Sequence, residues 1–187
     1  MRISKDPKVR KQEIIDTAMK LFSEKGYEFT SISDIAKEMN VVSGLCYRYF
    51  KSKEEIYKTA ISLYAKECSI PIINILNQQY STLNEFVEKY TKFFIDIDGK
   101  EKYHDILHDK KNMLFHKQLE IEMINLIEPY SIALLKKFKE DKLINIADPT
   151  YIAKFILHGQ MPIINDDSIS PENKIQIIKS IIFKIIK

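Results

Sequence analysis

Apolar residues recur along this chain at three- and four-residue steps, the spacing of helices that each bury one face. Ile14, Ile15, Ala18, Leu21 and Phe22 form the first stripe; Asp6-Pro7 opens that helix as cap and first-turn proline, and Gly26 ends it after Lys25. Tyr27 and Phe29 are then expected to pin the following loop into a small core. A second, short helix has Thr30 or Ser31 as its cap, with Asp34 completing an Asp version of the capping box, and an apolar face of Ile32, Ile35, Ala36 and Met39. Asn40 tolerates the left-handed backbone, so this helix stops there. A third runs within Val41 to Phe50, with Cys46 and Tyr49 or Phe50 inward and Ser43, Gly44, Tyr47 and Arg48 outward. Ser52, flanked by Lys51 and Lys53, caps the next helix.

That fourth helix, with Ile56, Tyr57, Ala60, Ile61, Tyr64 and Ala65, is expected to run to about Ser69, where Pro71 breaks it. Leu83, Phe86, Val87, Tyr90, Phe93 and Phe94 form an aromatic-rich stripe ending at Asp98-Gly99. A shorter helix is expected over Glu101 to Lys111, with Tyr103, Ile106 and Leu107 inward. The segment Asn112 to Lys142 is apolar around much of its circumference, from Met113, Leu114 and Phe115 through Met123, Leu126 and Tyr130 to Phe138. Such a helix is packed on several sides, with a kink near Asn125 imposed by Pro129. Asp148-Pro149 starts another helix with Ile152, Phe155, Ile156 and Leu157, and Ser170-Pro171 starts the last, striped with Ile175, Ile178, Ile181, Ile182, Ile185 and Ile186. An isoleucine face this broad would be an exposed patch on a monomer. The last two helices are therefore expected to pair with their symmetry mates in a homodimer, through Ile152, Phe155, Ile156, Ile178, Ile181, Ile182 and Ile185.

Composition agrees with an all-α fold. The 187 residues are 45% hydrophobic with four Gly and six Pro, too few turn formers for an all-β chain and enough apolar mass for one sizeable core or two small ones. No apolar run reaches the ~18 residues that span a bilayer, and the N-terminus is charged with no apolar stretch behind it, so no membrane association and a cytoplasmic location are expected. Cys46 and Cys68 have no metal-binding or redox spacing and read as reduced thiols, Cys46 as a small buried hydrophobe. His104 and His108 share a helix face with His116 beyond, but no third ligand is fixed by spacing and no metal or other cofactor is expected. No nucleophile–base pairing, phosphate-cradling glycine loop or carboxylate constellation appears, which excludes a recognisable enzyme.

The charge is more informative. Residues 1–53 hold 11 Lys and Arg against 7 Asp and Glu, while the rest of the chain is close to neutral. The basic excess coincides with two short helices joined by a tight turn, the geometry that puts a helix into the DNA major groove, with small residues near its N-terminus so that the backbone approaches the base edges. Ser43, Gly44, Tyr47 and Arg48 are placed at bases or nearby phosphate. Thr30, Tyr49, Lys51 and Lys53 are placed at the backbone, the lysines beside a helix start forming a phosphate clamp. Lys8, Arg10 and Lys11 lie near the start of the first helix and are either backbone contacts or a solvated face.

The run FTSISDIAKEMNVVSGLCYRYFKSKEEIY, within a similarity from Asp6 to about Ala60, resembles the DNA-binding domain of the TetR (tetracycline-repressor) family, most specifically in its G-x-x-Y-x-Y/H-F-x-S/N-K-E ending. Three positions depart from the family pattern: Asn40 replaces the turn glycine, Val42 the serine that caps the recognition helix, and Leu45 a threonine beside the glycine. The resemblance implies an N-terminal helix-turn-helix domain over 1–52 and a C-terminal ligand-binding and dimerisation domain over 53–187, about nine helices in all, with the helix from Ser52 as the lever between them. It implies a ligand-responsive regulator, most often a repressor, whose homodimer binds a palindromic double-stranded DNA operator. It also implies a cavity among Tyr64, Phe86, Tyr90, Phe93, Tyr103, Phe115 and Met123. With few inward charges on these helices, the effector is expected to be small and hydrophobic or aromatic. The alternative is a regulator of the same build controlled by a protein partner, with no ligand cavity.

Overall fold

The computed structural model of the chain describes residues 6–97 and 113–186. Among the described residues all regular structure is helical: α1 (Pro7–Lys25), α2 (Ile32–Glu38), α3 (Ser43–Tyr47), α4 (Lys53–Leu76), α5 (Leu83–Ile97), α6 (Met113–Glu140), α7 (Pro149–Gly159), α8 (Met161–Ile164) and α9 (Pro171–Ile186). The expected helix over Glu101 to Lys111, with Tyr103, His104 and His108, lies outside the described residues. These fall into two compact units, one of residues 6–65 and 113–122 and the other of 66–97 and 123–186, so the division falls inside α4 and inside α6.

Local chemistry sets the ends of the first unit's helices. The Asp6 carboxylate accepts the Lys8 amide at 2.8 Å ahead of Pro7, and Gly26 closes α1 at φ 89°, a conformation that glycine adopts without strain. Ser31, and not Thr30, caps α2, and its capping box with Asp34 is complete; these hydrogen bonds hold the Asp34 carboxyl below its usual range. The α1 stripe of Ile14, Ile15, Ala18, Leu21 and Phe22 meets Ile32, Ile35 and Ala36 of α2, Cys46 and Phe50 around α3, and Ile56, Ala60, Tyr64 and Ala65 of α4, all buried. Phe115 and Leu119 close this core from the first turns of α6. An aromatic row runs through it, with ring centroids 5.2 Å apart for Phe22–Tyr27, 4.8 Å for Tyr27–Tyr57 and 5.6 Å for Tyr57–Phe115. Burial among these rings pushes the Tyr57 phenol up to about 12.

Two expectations for the first unit are overturned. Phe29 is 82% exposed and does not join the core; of the two loop aromatics only Tyr27 packs there, against Phe22 and Tyr57. Met113 and Leu114, expected inward, are exposed at the start of α6, where Phe115 takes the buried side.

The second unit packs α5, the ends of α4 and α6, and α7 to α9 around Ile72, Ile75, Leu76, Val87, Ile127, Leu134, Leu135, Phe138, Ala153 and Leu157. Pro71 does not end α4, which continues five residues to Leu76. Ile72, Ile75 and Leu76 beyond the proline are all buried, and at roughly 1.5–3 kcal/mol each their burial outweighs the ~3 kcal/mol of an interior proline. The Tyr80 hydroxyl then donates to the Ile75 carbonyl at 2.7 Å. Helix α6 likewise continues through Pro129, and on it Leu126 and Tyr130, expected inward, are exposed. Asp148 caps α7 as expected, while Pro162 falls in the separate short helix α8.

Candidate nucleic-acid interface

The turn after α2 decides which side chains of α3 reach solvent. Asn40 takes the left-handed conformation at φ 54°, its amide donates to the Lys37 carbonyl at 3.0 Å, and the Val41 amide donates to the Ala36 carbonyl at 2.9 Å. The chain therefore reverses within two residues, and α3 packs on α2 with Cys46 as its single buried residue. Burial raises the Cys46 thiol, against a weaker lowering by Arg10, so the thiol form is kept and the residue acts as a small hydrophobe. Gly44, Tyr47 and Arg48 are exposed, and Ser43 and Tyr49 half-buried. A Cβ added at Gly44 would meet nothing within 4 Å, so the backbone is open to close approach.

Val42 is the N-cap of α3 and makes no side-chain cap hydrogen bond. Ser43 does not take over the cap; its hydroxyl donates to the Ser33 hydroxyl at 3.3 Å and links the two helices. Beyond α3, the Ser52 hydroxyl accepts the Glu55 amide at 3.1 Å and the Glu55 carboxylate accepts the Lys51 amide at 2.7 Å, fixing the entry to α4. The Lys51 side chain is exposed. Lys53 is held: its ammonium donates to the Tyr27 carbonyl at 2.7 Å and to the Glu28 carbonyl at 3.5 Å, and lies 4.2 Å from the Tyr27 ring centroid. Around these residues an open groove of about 480 Å³ is lined by Glu28, Phe29, Thr30, Ser31, Ile32, Tyr47, Lys51, Ser52 and Lys53.

Thr30 requires a correction. It is 2% exposed, and its hydroxyl donates to the Gly26 carbonyl at 2.9 Å and the Leu21 carbonyl at 3.3 Å, so that hydroxyl fastens the end of α1 and is not offered to DNA. Phe29 and Ser31 also line the groove, although the sequence places neither of them at DNA. Phe29 was assigned to the core on its apolarity alone, whereas the exposure of Ser31 follows from its role as the α2 cap.

The seven aromatic and Met positions expected around an effector divide between the units. Tyr64 and Phe115 meet in the first, with ring centroids 6.4 Å apart. In the second, Phe86 contacts Tyr90 at 5.4 Å and Phe138 at 5.6 Å, and Phe93 and Met123 pack against the same core. Desolvation pushes the Tyr90 phenol up to about 12, opposed by its hydrogen bond with Gln160. Tyr103 lies outside the described residues. Of the expected interface positions, Ile152, Ile156, Ile182 and Ile185 lean on their own core and Ile178 is half-buried, whereas Phe155 is 63% and Ile181 44% exposed, together with Tyr151 on α7 and Ile177 on α9.

Residues 14–60 match the family model described as bacterial regulatory proteins, tetR family. The biofilm operon icaADBC HTH-type negative transcriptional regulator IcaR of Staphylococcus epidermidis is 30% identical over 148 residues, which cover 76% of this chain and 72% of IcaR. The chain belongs to the tetR family. Its fold is shared with a TetR-family regulator from Mesorhizobium loti, at a TM-score of 0.72 and 14% identity over 97% of both chains. It is also shared with RolR, solved in complex with resorcinol, at a TM-score of 0.61 and 14% identity over 96% of this chain and 88% of that one.

As a TetR-family member the protein is a transcriptional regulator with a DNA-binding helix-turn-helix. Among the described residues no helix is long and apolar enough to cross a membrane, and no three His, Cys, Asp or Glu side chains are grouped to hold a metal ion. The family's serine cap on the recognition helix is absent here in hydrogen bonding as well as in sequence.

Proposed function

We propose that this TetR-family regulator is a cytoplasmic repressor that binds a palindromic operator as a homodimer and is released by a small hydrophobic or aromatic effector. The observation that carries the DNA-binding part is the outward face of α3. Gly44, Tyr47 and Arg48 stand clear of the core beside an open groove with Lys51 on its wall, so one rigid surface offers base-reading donors and phosphate-binding charge together. Arg48 and Tyr47 act at the bases and Ser43 at their edge; Lys51 and Tyr49 act at the phosphates, and the tethered Lys53 presents its remaining N–H there. Residues 1–52 serve as the reader and 53–187 as the sensor and dimer module, which α4 opens.

Repression is supported by IcaR, which is a negative regulator. An aromatic effector is supported by RolR, whose ligand is resorcinol, and by the Phe86, Tyr90 and Phe93 cluster, where the Tyr90–Gln160 pair adds one polar group to an aromatic surface. Exposed Tyr151 and Phe155 on α7 and Ile177 and Ile181 on α9 support a twofold interface between protomers. The effector acts by shifting the population of recognition-helix spacings that fit the operator, through α4.

Hydroxyl-radical footprinting on the regulatory DNA tests this reading. Two protected patches related by a twofold axis, with centres about one helical turn apart, are expected, and they should fade when the apolar extract of the purified protein is added back. A single asymmetric patch would overturn the homodimer. Protection unmoved by any extract, with no molecule recovered, would favour control by a protein partner.

A further inference from the structure

The chemistry at the N-terminal end of α3 is apolar where hydrogen-bonding groups would be expected. Val42 is 68% exposed at the N-cap position, with an extended backbone and no side-chain cap bond. Its neighbour Ser43 has turned its hydroxyl onto Ser33 of α2. Gly44 follows with open space where a Cβ would stand, so the backbone beside Val42 can approach a groove floor without obstruction. The polar side chains of the reading face, Tyr47 and Arg48, sit one turn further along. The exposed side chain at the leading edge of the helix is therefore apolar, two valine methyl groups beside a serine whose hydroxyl proton is engaged by Ser33.

In the major groove one base-pair feature matches such a surface. Thymine carries a C5-methyl group beside its O4 acceptor, and apolar side chains discriminate for it by contact, whereas a G·C pair carries no methyl at that edge. We infer that Val42 reads a thymine methyl, so that each operator half-site carries an A·T pair in fixed orientation at the step facing the N-terminus of α3. The inference rests on the DNA-reading role of α3. It adds the identity of one base to it, and the removal of a cap hydroxyl becomes part of the specificity.

The test uses the full-length protein. Its preferred duplex is selected from a random-sequence library against competitor DNA, and each thymidine of the half-site is then replaced singly by deoxyuridine, which deletes the methyl and leaves pairing intact. At one major-groove position the replacement is expected to weaken wild-type binding about fourfold, the worth of one buried methyl-sized group. Val42→Ala should lower affinity for the thymidine duplex by a similar factor and bind both duplexes within twofold of each other. Val42→Thr, which keeps one methyl, should retain part of the discrimination. Val42 is exposed, so melting temperatures no more than about 2 °C below wild type are expected for both variants, with Val42→Thr at or above wild type through the cap it restores, and show that the reader is folded. Equal binding of all deoxyuridine duplexes by wild type, or an undiminished preference in Val42→Ala, would overturn the inference while leaving operator binding intact. A selection that enriches no sequence would overturn the DNA-reading role itself, and this inference with it.

Discussion

Lys53→Met separates two tasks that one ammonium performs. The Lys53 ammonium donates to the Tyr27 carbonyl at 2.7 Å and lies 4.2 Å from the Tyr27 ring centroid, so it ties the loop between α1 and α2 to the first turn of α4. A hydrogen bond from a charged donor is worth about 1.5–3 kcal/mol and an exposed cation–π contact about 0.5–1 kcal/mol. Lys53 is half-buried, and in water its ammonium would find other partners, so the net loss should fall below the sum of about 2–4 kcal/mol, at about 1–2 kcal/mol. For a chain of this size that is a melting temperature lower by roughly 2–8 °C. The same substitution removes one proposed phosphate contact per protomer. The slope of log K against log salt should flatten by about 0.9 per protomer, with affinity falling alike for operator and unrelated DNA. Lys51→Ala is the control, because the Lys51 side chain is exposed: the slope should flatten with the melting temperature unchanged. Thermal melts and fluorescence-anisotropy titrations at four salt concentrations measure both quantities. A Lys53→Met protein that melts like wild type would refute the tie, and one that loses only operator affinity would refute the phosphate assignment.

Three further outcomes are expected. Thr30→Val should destabilise by about 1–3 kcal/mol, since it strips a buried donor from the Gly26 and Leu21 carbonyls, whereas Ser31→Ala should cost about 0.5–2 kcal/mol through the α2 cap; urea midpoints give both, and a neutral Thr30→Val would contradict its fold role. Tyr57 and Tyr90 keep their protons to about 12 in the folded chain against about 10 when unfolded, so the unfolded state sheds them first; their stability contribution is full below pH 10 and is lost between pH 10 and 12. The double Tyr57→Phe, Tyr90→Phe protein should therefore lose less stability than wild type between pH 9 and 11, and an identical loss would count against burial of the two phenols. In a Cys68→Ser background Cys46 should resist a thiol reagent in native buffer at pH 8 and react fully in guanidinium; prompt native labelling would show that α3 opens.

The first unit was legible in the sequence wherever a local device fixed the backbone. Asp6-Pro7, Gly26, the Ser31–Asp34 box, Asn40 and Ser52 each act within four residues of themselves, and the ends of α1 and α2 and the start of α4 followed from them. Misreadings came where distant packing overrode a local rule. Pro71 is a helix breaker on local grounds, and only the buried Ile72, Ile75 and Leu76 explain why α4 continues. Phe29 looked like core, yet the loop turns it outward, and Thr30 looked like a cap competing with Ser31 until the direction of chain entry made one hydroxyl buried and the other exposed. The tie of Lys53 to Tyr27 spans 26 residues and leaves no local trace. Helical periodicity placed the aromatic stripes of α5 and α6 but not their partners; the cavity set came from the family resemblance, and of its members Tyr64 and Phe115 lie in one unit and Phe86 and Tyr90 in the other.

The proposal that the α3 face reads a particular DNA sequence is tested most directly by titrating the purified full-length protein against duplexes from the DNA flanking its own gene, at two salt concentrations, with and without excess competitor. Saturable binding of one dimer per site that survives competitor, and is lost in Arg48→Ala, is the expected result. Binding at every fragment alike, erased by competitor and unchanged by Arg48→Ala, would contradict it.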